Sequence, residues 1–255
     1  MHAHPIATHT TSLRTSADLQ DVLLASHDYQ LPVAHPGGVW AMTEDACKFV
    51  GALVRQLKPH RVLEFGSGVS STVIAAELKR VPGARLISID HQGHFQAKAR
   101  RRAEERDVSD VIQFYRCPIR PAWYHGKLLF FYDIAPQVRA QLGMLDLVLV
   151  DGPPGCWGRE AAAYVVYPYL KPGALVLLDD ANRTGEQRDI GEWSKLYGPA
   201  VEFASAGPFE RGLGVLRKCE SGSARRMFSP PDRRRAFFDT LYRVGVNRRR
   251  LRDCC

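Results

Sequence analysis

No stretch of this chain approaches the ~20 consecutive apolar residues that a membrane-spanning helix needs. The opening Met1-His2-Ala3-His4-Pro5 lacks a basic segment followed by an apolar one, so no secretory signal is read and the expected location is the cytoplasm. Cysteines are few and scattered. Cys47, Cys117, Cys156, Cys219, Cys254 and Cys255 contain no C-x-x-C pair, which excludes the usual zinc and thiol-redox patterns and leaves six expected free thiols, most of them small core residues. There is no internal repeat. Neither charge nor hydrophobicity is extreme: 24% charged and 45% hydrophobic residues exclude wholesale disorder.

What is present is one domain's worth of chain, 255 residues, with a net charge of +8 that is unevenly spread. Residues 220–255 hold ten arginines and four acids, so +6 of the charge lies there and the body is nearly neutral. Three segments are expected. Residues 1–35, rich in Thr, Ser, His and Pro, read as a loosely ordered lead-in. Residues 36–219 read as one α/β domain, and residues 220–255 as a basic extension. In that extension Phe237, Leu241 and Val244 share a helical face between arginine runs. It is expected to dock on the body with its arginines in solvent. Nucleic acid, an anionic membrane surface or a partner subunit are the alternatives, and a homodimer is a separate option for the protein as a whole.

Within the body, Ala46, Val50, Leu53, Val54 and Leu57 mark one face of a helix that starts after Thr43 and stops before Pro59. Short apolar runs then alternate with helical segments. Strands are expected at 61–65, 85–90, 111–116, 146–150 and 174–178, with weaker ones at 201–204 and 212–216. Helices are expected at 69–80, 94–106 and 158–167, and around Ile190, Trp193 and Leu196. The aromatic stretch 121–133 reads as a hairpin or a loop covering a pocket. Strands that are near-continuous Val, Leu and Ile, separated by helices, imply a mostly parallel sheet covered on both faces, a Rossmann-like α/β fold.

The strongest chemical signal is Leu63-Glu64-Phe65-Gly66-Ser67-Gly68-Val69-Ser70-Ser71-Thr72. A buried strand runs through a Gly-x-Gly turn into a helix whose free N–H groups can face a ligand. Dinucleotide-binding folds place a third glycine where Ser71 stands. The charge of Glu64 would oppose a pyrophosphate, whereas it suits a ligand carrying an ammonium group. Asp90 ends the second strand, 24 residues after Gly66, where a carboxylate can accept from both hydroxyls of a ribose. These residues point to a nucleoside cofactor, with Glu64, Gly66, Ser67, Gly68, Asp90 and His91 as its candidate contacts.

Glu-x-Gly-x-Gly, an acid ending the second strand and an acid ending the fourth resemble class I S-adenosylmethionine-dependent methyltransferases over residues 38–218. Leu63–Thr72, Asp151-Gly152-Pro153-Pro154-Gly155 and Asp179-Asp180-Ala181-Asn182-Arg183 resemble a bacterial group similar in layout to catechol-type, metal-dependent O-methyltransferases. The resemblance implies a seven-stranded sheet ordered 3-2-1-4-5-7-6 with its last strand antiparallel, and S-adenosylmethionine as cofactor, with Asp151 on its side too.

Asp151 and Asp180 end strands that would be neighbours ~4.8 Å apart. Carboxylates that close raise each other's pKa or recruit a cation, and hard oxygen donors suit Mg²⁺. By position the resemblance makes Asp151 and Asp180 the reacting-centre residues and metal ligands, with Asp179 or Asn182 as the third ligand. Successive strand residues point to opposite faces, which leaves that third ligand open. The catechol-type lysine base would fall at Pro154, so the base is unassigned, with His125, Arg159 and His91 as candidates. Trp40, Met42 and the aromatics of 123–132 would lie near the mouth of the site. The expected activity is methyl transfer to a small-molecule acceptor, most simply at a hydroxyl and with Mg²⁺ assistance. An amino-group methyltransferase, a nicotinamide-dependent oxidoreductase and a non-catalytic nucleoside-binding protein with a nucleic-acid-contacting tail are the rival readings.

Overall fold

A computed structural model describes residues 16–219, so what was expected of residues 220–255 lies outside the described residues. The main chain runs α1 (Ser16–His27), α2 (Glu44–Leu57), β1 (Arg61–Phe65), α3 (Val69–Leu78), β2 (Arg85–Asp90), α4 (Gly93–Glu105), β3 (Ile112–Arg116), β4 (Ile119–Tyr124), β5 (Lys127–Tyr132), α5 (Pro136–Leu142), β6 (Leu145–Val150), α6 (Ala161–Val166), β7 (Leu170–Asp179), α7 (Thr184–Tyr197), β8 (Val201–Ser205) and β9 (Leu213–Lys218). No helix among the described residues is long and apolar enough to cross a membrane.

Seven strands form one sheet in the order β3-β2-β1-β6-β7-β9-β8, which is 3-2-1-4-5-7-6 when its own strands are counted. β9 alone runs antiparallel to its neighbours. The central strands alternate strictly between two cores. Val62, Leu147, Leu149, Leu175 and Leu177 face α1, α2 and α3. Leu63, Phe65, Val148, Val150, Val176 and Leu178 face α6, α7 and the β4–β5 ribbon. Strands buried on both faces need apolar residues at every position, so they read as unbroken Val/Leu/Ile runs.

Three expectations need correction. The lead-in assigned to residues 1–35 contains α1, whose Leu19 and Val22 are buried in the core together with Tyr29. Its weak periodicity hid it, but the Tyr29 hydroxyl donates to buried Glu77 (2.8 Å), which also holds Arg55, and this ties the segment to α3. The aromatic stretch is a regular antiparallel hairpin, one of its two expected forms. Its turn, His125-Gly126, has positive φ at both residues (48° and 80°), the backbone that matches strand twist. Phe131 and Tyr132 face the core against Phe65. Met42, expected at the mouth, is 1% exposed and belongs to the core, whereas Trp40 is 57% exposed. Helix α6 begins only at Ala161, so a ten-residue loop follows β6.

Candidate active site

The glycine turn leaves β1 with Gly66 at φ +96°, a conformation that side chains rarely adopt. A Cβ on Gly66 would also lie 3.1 Å from the backbone of Asp151 and Gly152. Gly66 is therefore glycine for the protein's own sake, because the turns after β1 and β6 touch there. Gly68 differs. A Cβ built on it would meet only Ser70 Oγ, at 3.8 Å, so no protein atom requires glycine and the space above the turn is open to a ligand.

Glu64 lies beneath the turn and is 0% exposed. Its Oε1 accepts from Ser70 Oγ (2.5 Å), and its Oε2 accepts from Ser71 Oγ (2.5 Å) and Ser88 Oγ (2.7 Å). Burial pushes its carboxyl up to about 7, against the pull of the three hydroxyls. The expected meeting of Glu64 with a ligand's ammonium group is corrected here: the carboxylate has no surface, and it anchors the loop from below. Ser71, which stands in place of a third glycine, accepts the Gly68 N–H (3.1 Å) while donating to Glu64. This departure from the dinucleotide pattern thus ties the turn to Glu64.

Asp90 ends β2 beside this turn. Its Oδ2 accepts the Ser67 N–H (2.8 Å) and its Oδ1 the Gln92 N–H (2.7 Å). Each oxygen keeps a further lone pair. His91 stands next to it, with Nδ1 3.4 Å from Asp90 Oδ1 and its ring 6.0 Å from that of Tyr132. Both of its ring nitrogens are buried without a hydrogen-bond partner.

One strand over, Asp151, Asp179 and Asp180 converge, with one carboxylate oxygen from each within 4.8 Å of the others. The alternation rule fails at this point because Asp180 turns out of β7 with φ +58°, which brings two consecutive carboxylates to one side. Asn182 is exposed and its side chain lies against Gly212, so Asp179 is the third acid of the group. Burial pushes the Asp151 carboxyl well above the usual carboxylate range, with the charge of Asp179 adding to the effect. Asp179 is pushed up by burial and by Asp180.

The acids hold a buried cation, Arg159, which the sequence offers only as a candidate base. Arg159 is fully buried, and its Nη2 lies 3.1 Å from Asp180 Oδ2 and 3.5 Å from Asp151 Oδ1. Its remaining donors reach the carbonyls of Asp151 (Nη2, 2.8 Å), Asp179 (Nη1, 2.7 Å) and Pro153 (Nε, 3.1 Å). Its own N–H donates to Asp189 on α7 (3.0 Å). Arg183 adds a second guanidinium, 2.7 Å from the same Asp180 oxygen. The carboxylates suit a hard cation in number and kind, and Asp179 Oδ1 and Asp180 Oδ1 are buried without a partner. The position facing Asp151 and Asp180, however, is filled by the guanidinium. A magnesium ion, which demands an octahedral oxygen shell, does not fit beside it.

Of the three acids, Asp151 keeps the most surface, 15% of its side chain against 5% for Asp180. Tyr132 backs it, because a Cβ on Gly152 would strike the Tyr132 hydroxyl at 2.2 Å. His125, the remaining candidate base, sits on the exposed hairpin turn with its ring against Tyr164. Burial lowers its pKa.

Residues 63–181 match the family model of a methyltransferase domain. Over that stretch the chain is similar to a methyltransferase domain, and its sheet has the Rossmann-like methyltransferase fold. Solved structures of the same fold share little sequence with it. The O-methyltransferase TomG of Streptomyces achromogenes, in complex with S-adenosylmethionine, is 18% identical with a TM-score of 0.54, over 82% of this chain and 92% of that one. An O-methyltransferase from Bacillus cereus in complex with S-adenosylhomocysteine is 16% identical with a TM-score of 0.55, over 81% and 92%. The S-adenosylhomocysteine-bound methyltransferase PaMTH1 of Podospora anserina is 15% identical with a TM-score of 0.54, over 80% and 88%. No curated protein matches the chain. In this fold the glycine turn and Asp90 lie on one side of Gly66, and the acid group with Arg159 on the other. The serine cradle of Glu64 and the place of Arg159 escaped the sequence reading. The serines carried a usable signal, three hydroxyls within a turn or a strand of one buried acid. Arg159 figures in the sequence only as a candidate base at the start of an expected helix, whereas it lies in the irregular loop before α6.

Proposed function

We propose that this methyltransferase binds S-adenosylmethionine over Gly68, with Asp90 at the ribose, and transfers its methyl group to a hydroxyl of a small-molecule acceptor beside Asp151, in the cytoplasm. The observation that carries this reading is the contact of Gly66 with the Asp151 backbone. A ligand seated on the glycine turn therefore abuts the one acid of the cluster that retains appreciable surface. In the reaction the S–CH₃ bond breaks as the O–CH₃ bond forms, the sulfonium becomes a neutral thioether, and the acceptor's proton passes to Asp151. A carboxyl held above its usual range is a better base near neutral pH. Holding both reactants in line can supply ~7–11 kcal/mol of the barrier. No step is assigned to magnesium.

Calorimetry with S-adenosylhomocysteine and NAD tests the cofactor. The expected result is heat with the first alone, and a ~10–100-fold weakening in Asp90→Ala, because bonds to a charged group contribute ~1.5–3 kcal/mol each. Binding of NAD without S-adenosylhomocysteine would overturn the reading. Mass spectrometry of products from hydroxyl and amine acceptors then distinguishes O- from N-methylation.

A further inference from the structure

We propose that Arg159 is the resident cation of the acid cluster, its guanidinium standing where a divalent metal would otherwise bridge Asp151 and Asp180, so that this methyltransferase needs no metal. The inference rests on the reading of the cluster as the acceptor side of the site.

Three observations carry it. First, the guanidinium is fully buried and lies within 3.1–3.5 Å of one oxygen from each of those two acids. Second, it is fixed rather than adaptable. Three carbonyls from the β6 and β7 ends accept its N–H groups, and Asp189 holds its main chain. An arginine satisfied in this way cannot swing aside for an incoming ion without leaving three carbonyls bare, two of them in buried hydrogen bonds. Third, it performs the structural task of a metal, drawing two strand-end loops together through their oxygens. It differs from a metal in chemistry. It carries one charge, is not removed by chelators, and offers no vacant coordination position to an acceptor oxygen. The proton must therefore leave to a carboxylate, and Arg159 acts as a positioning residue through Asp151 and Asp180.

The test is a titration of the full chain with Mn²⁺, followed by calorimetry and by the spin-resonance signal of the free ion, on wild type, Arg159→Ala, Arg159→Gln and Asp151→Asn. S-adenosylhomocysteine binding is measured on each as an independent check on folding and on the cofactor reading. Wild type should bind no Mn²⁺ tighter than millimolar. Arg159→Ala should gain a site at least ~10-fold tighter, as an uncompensated carboxylate cluster recruits the ion. Arg159→Gln keeps amide donors for the carbonyls but not the charge, and should gain the site as well if the alanine variant does not fold. Tight Mn²⁺ binding by wild type that disappears in Asp151→Asn would overturn the proposal. So would folded Arg159 variants that bind Mn²⁺ no better than wild type. Loss of S-adenosylhomocysteine binding by wild type would strike the function reading instead, leaving the Mn²⁺ result to be judged separately.

Discussion

Two strand ends on either side of Gly66 each bury carboxylates, and they solve the problem of burying them differently. On the cofactor side Glu64 and Asp90 are solvated by neutral donors, three serine hydroxyls for the first and two backbone N–H groups for the second. On the acceptor side Asp151, Asp179 and Asp180 gather around guanidinium groups. Neutral donors leave Asp90 a local charge that can face a ligand, whereas Glu64 is sealed beneath the turn. A guanidinium cancels charge and binds the loops mechanically, so removing it should hurt the fold before it hurts recognition.

That difference can be broken first at Arg159. Arg159→Met removes the partner of two buried carboxylates and should lower unfolding free energy by ~3–5 kcal/mol in urea denaturation. A loss under ~1 kcal/mol would place the acid cluster in water rather than in the core.

Glu64 offers the next largest effect, and its sign is opposite to that of a salt-bridged acid. Its folded pKa, about 7, lies above the ordinary 4.5. The folded state thus binds the proton more tightly, and the associated stability is present below the ordinary value and lost as pH rises through about 7. Between pH 5 and 8 wild type should lose on the order of 3 kcal/mol relative to Glu64→Gln. The serine hydroxyls can turn to meet the amide, so that variant should fold and keep S-adenosylhomocysteine affinity within a few-fold. A flat difference across this range would mean that Glu64 is ionised in the fold at low cost.

The two glycines sharpen the contrast between holding the fold and holding the ligand. Gly66→Ala places a side chain at φ +96° against Asp151 and should cost ~1–3 kcal/mol of stability. Gly68→Ala should change stability by no more than ~0.5 kcal/mol yet weaken S-adenosylhomocysteine binding ~10-fold, since its Cβ enters only the open space above the turn. Smallest of all, Trp40→Ala should leave the melting temperature within ~1–2 °C, because the ring is mostly in solvent.

Legibility in the sequence follows the same divide. The cofactor-side turn is built from residues close along the chain, so Glu64, Gly66 and Gly68 could be read as a unit, though not the serines that hold Glu64. Strand order and the two-faced sheet followed from unbroken apolar runs and from the family resemblance. The acceptor side depends on backbone events that residue types do not announce. Asp180 abandons strand geometry with a positive φ, and Arg159 reaches back across the long loop after β6. The first joined acids that alternation had separated. The second supplied a cation where only the absence of a lysine had been visible. Helix α1 was missed because its buried face is short and its anchor, Tyr29, lies beyond its end.

The strand order also constrains how the site comes into being. β1 and β6 are adjacent in space, Phe65 pairing with Val150, yet a long stretch of chain separates them. Such pairing has high contact order: loop-closure entropy must be met before the contacts that reward it form. Local pieces such as the β4–β5 hairpin can assemble early, but the junction of Gly66 with Asp151 cannot exist until the two halves of the sheet have joined. Cofactor affinity is therefore a late marker of folding, and any intermediate holding only one half of the sheet should be blind to the ligand.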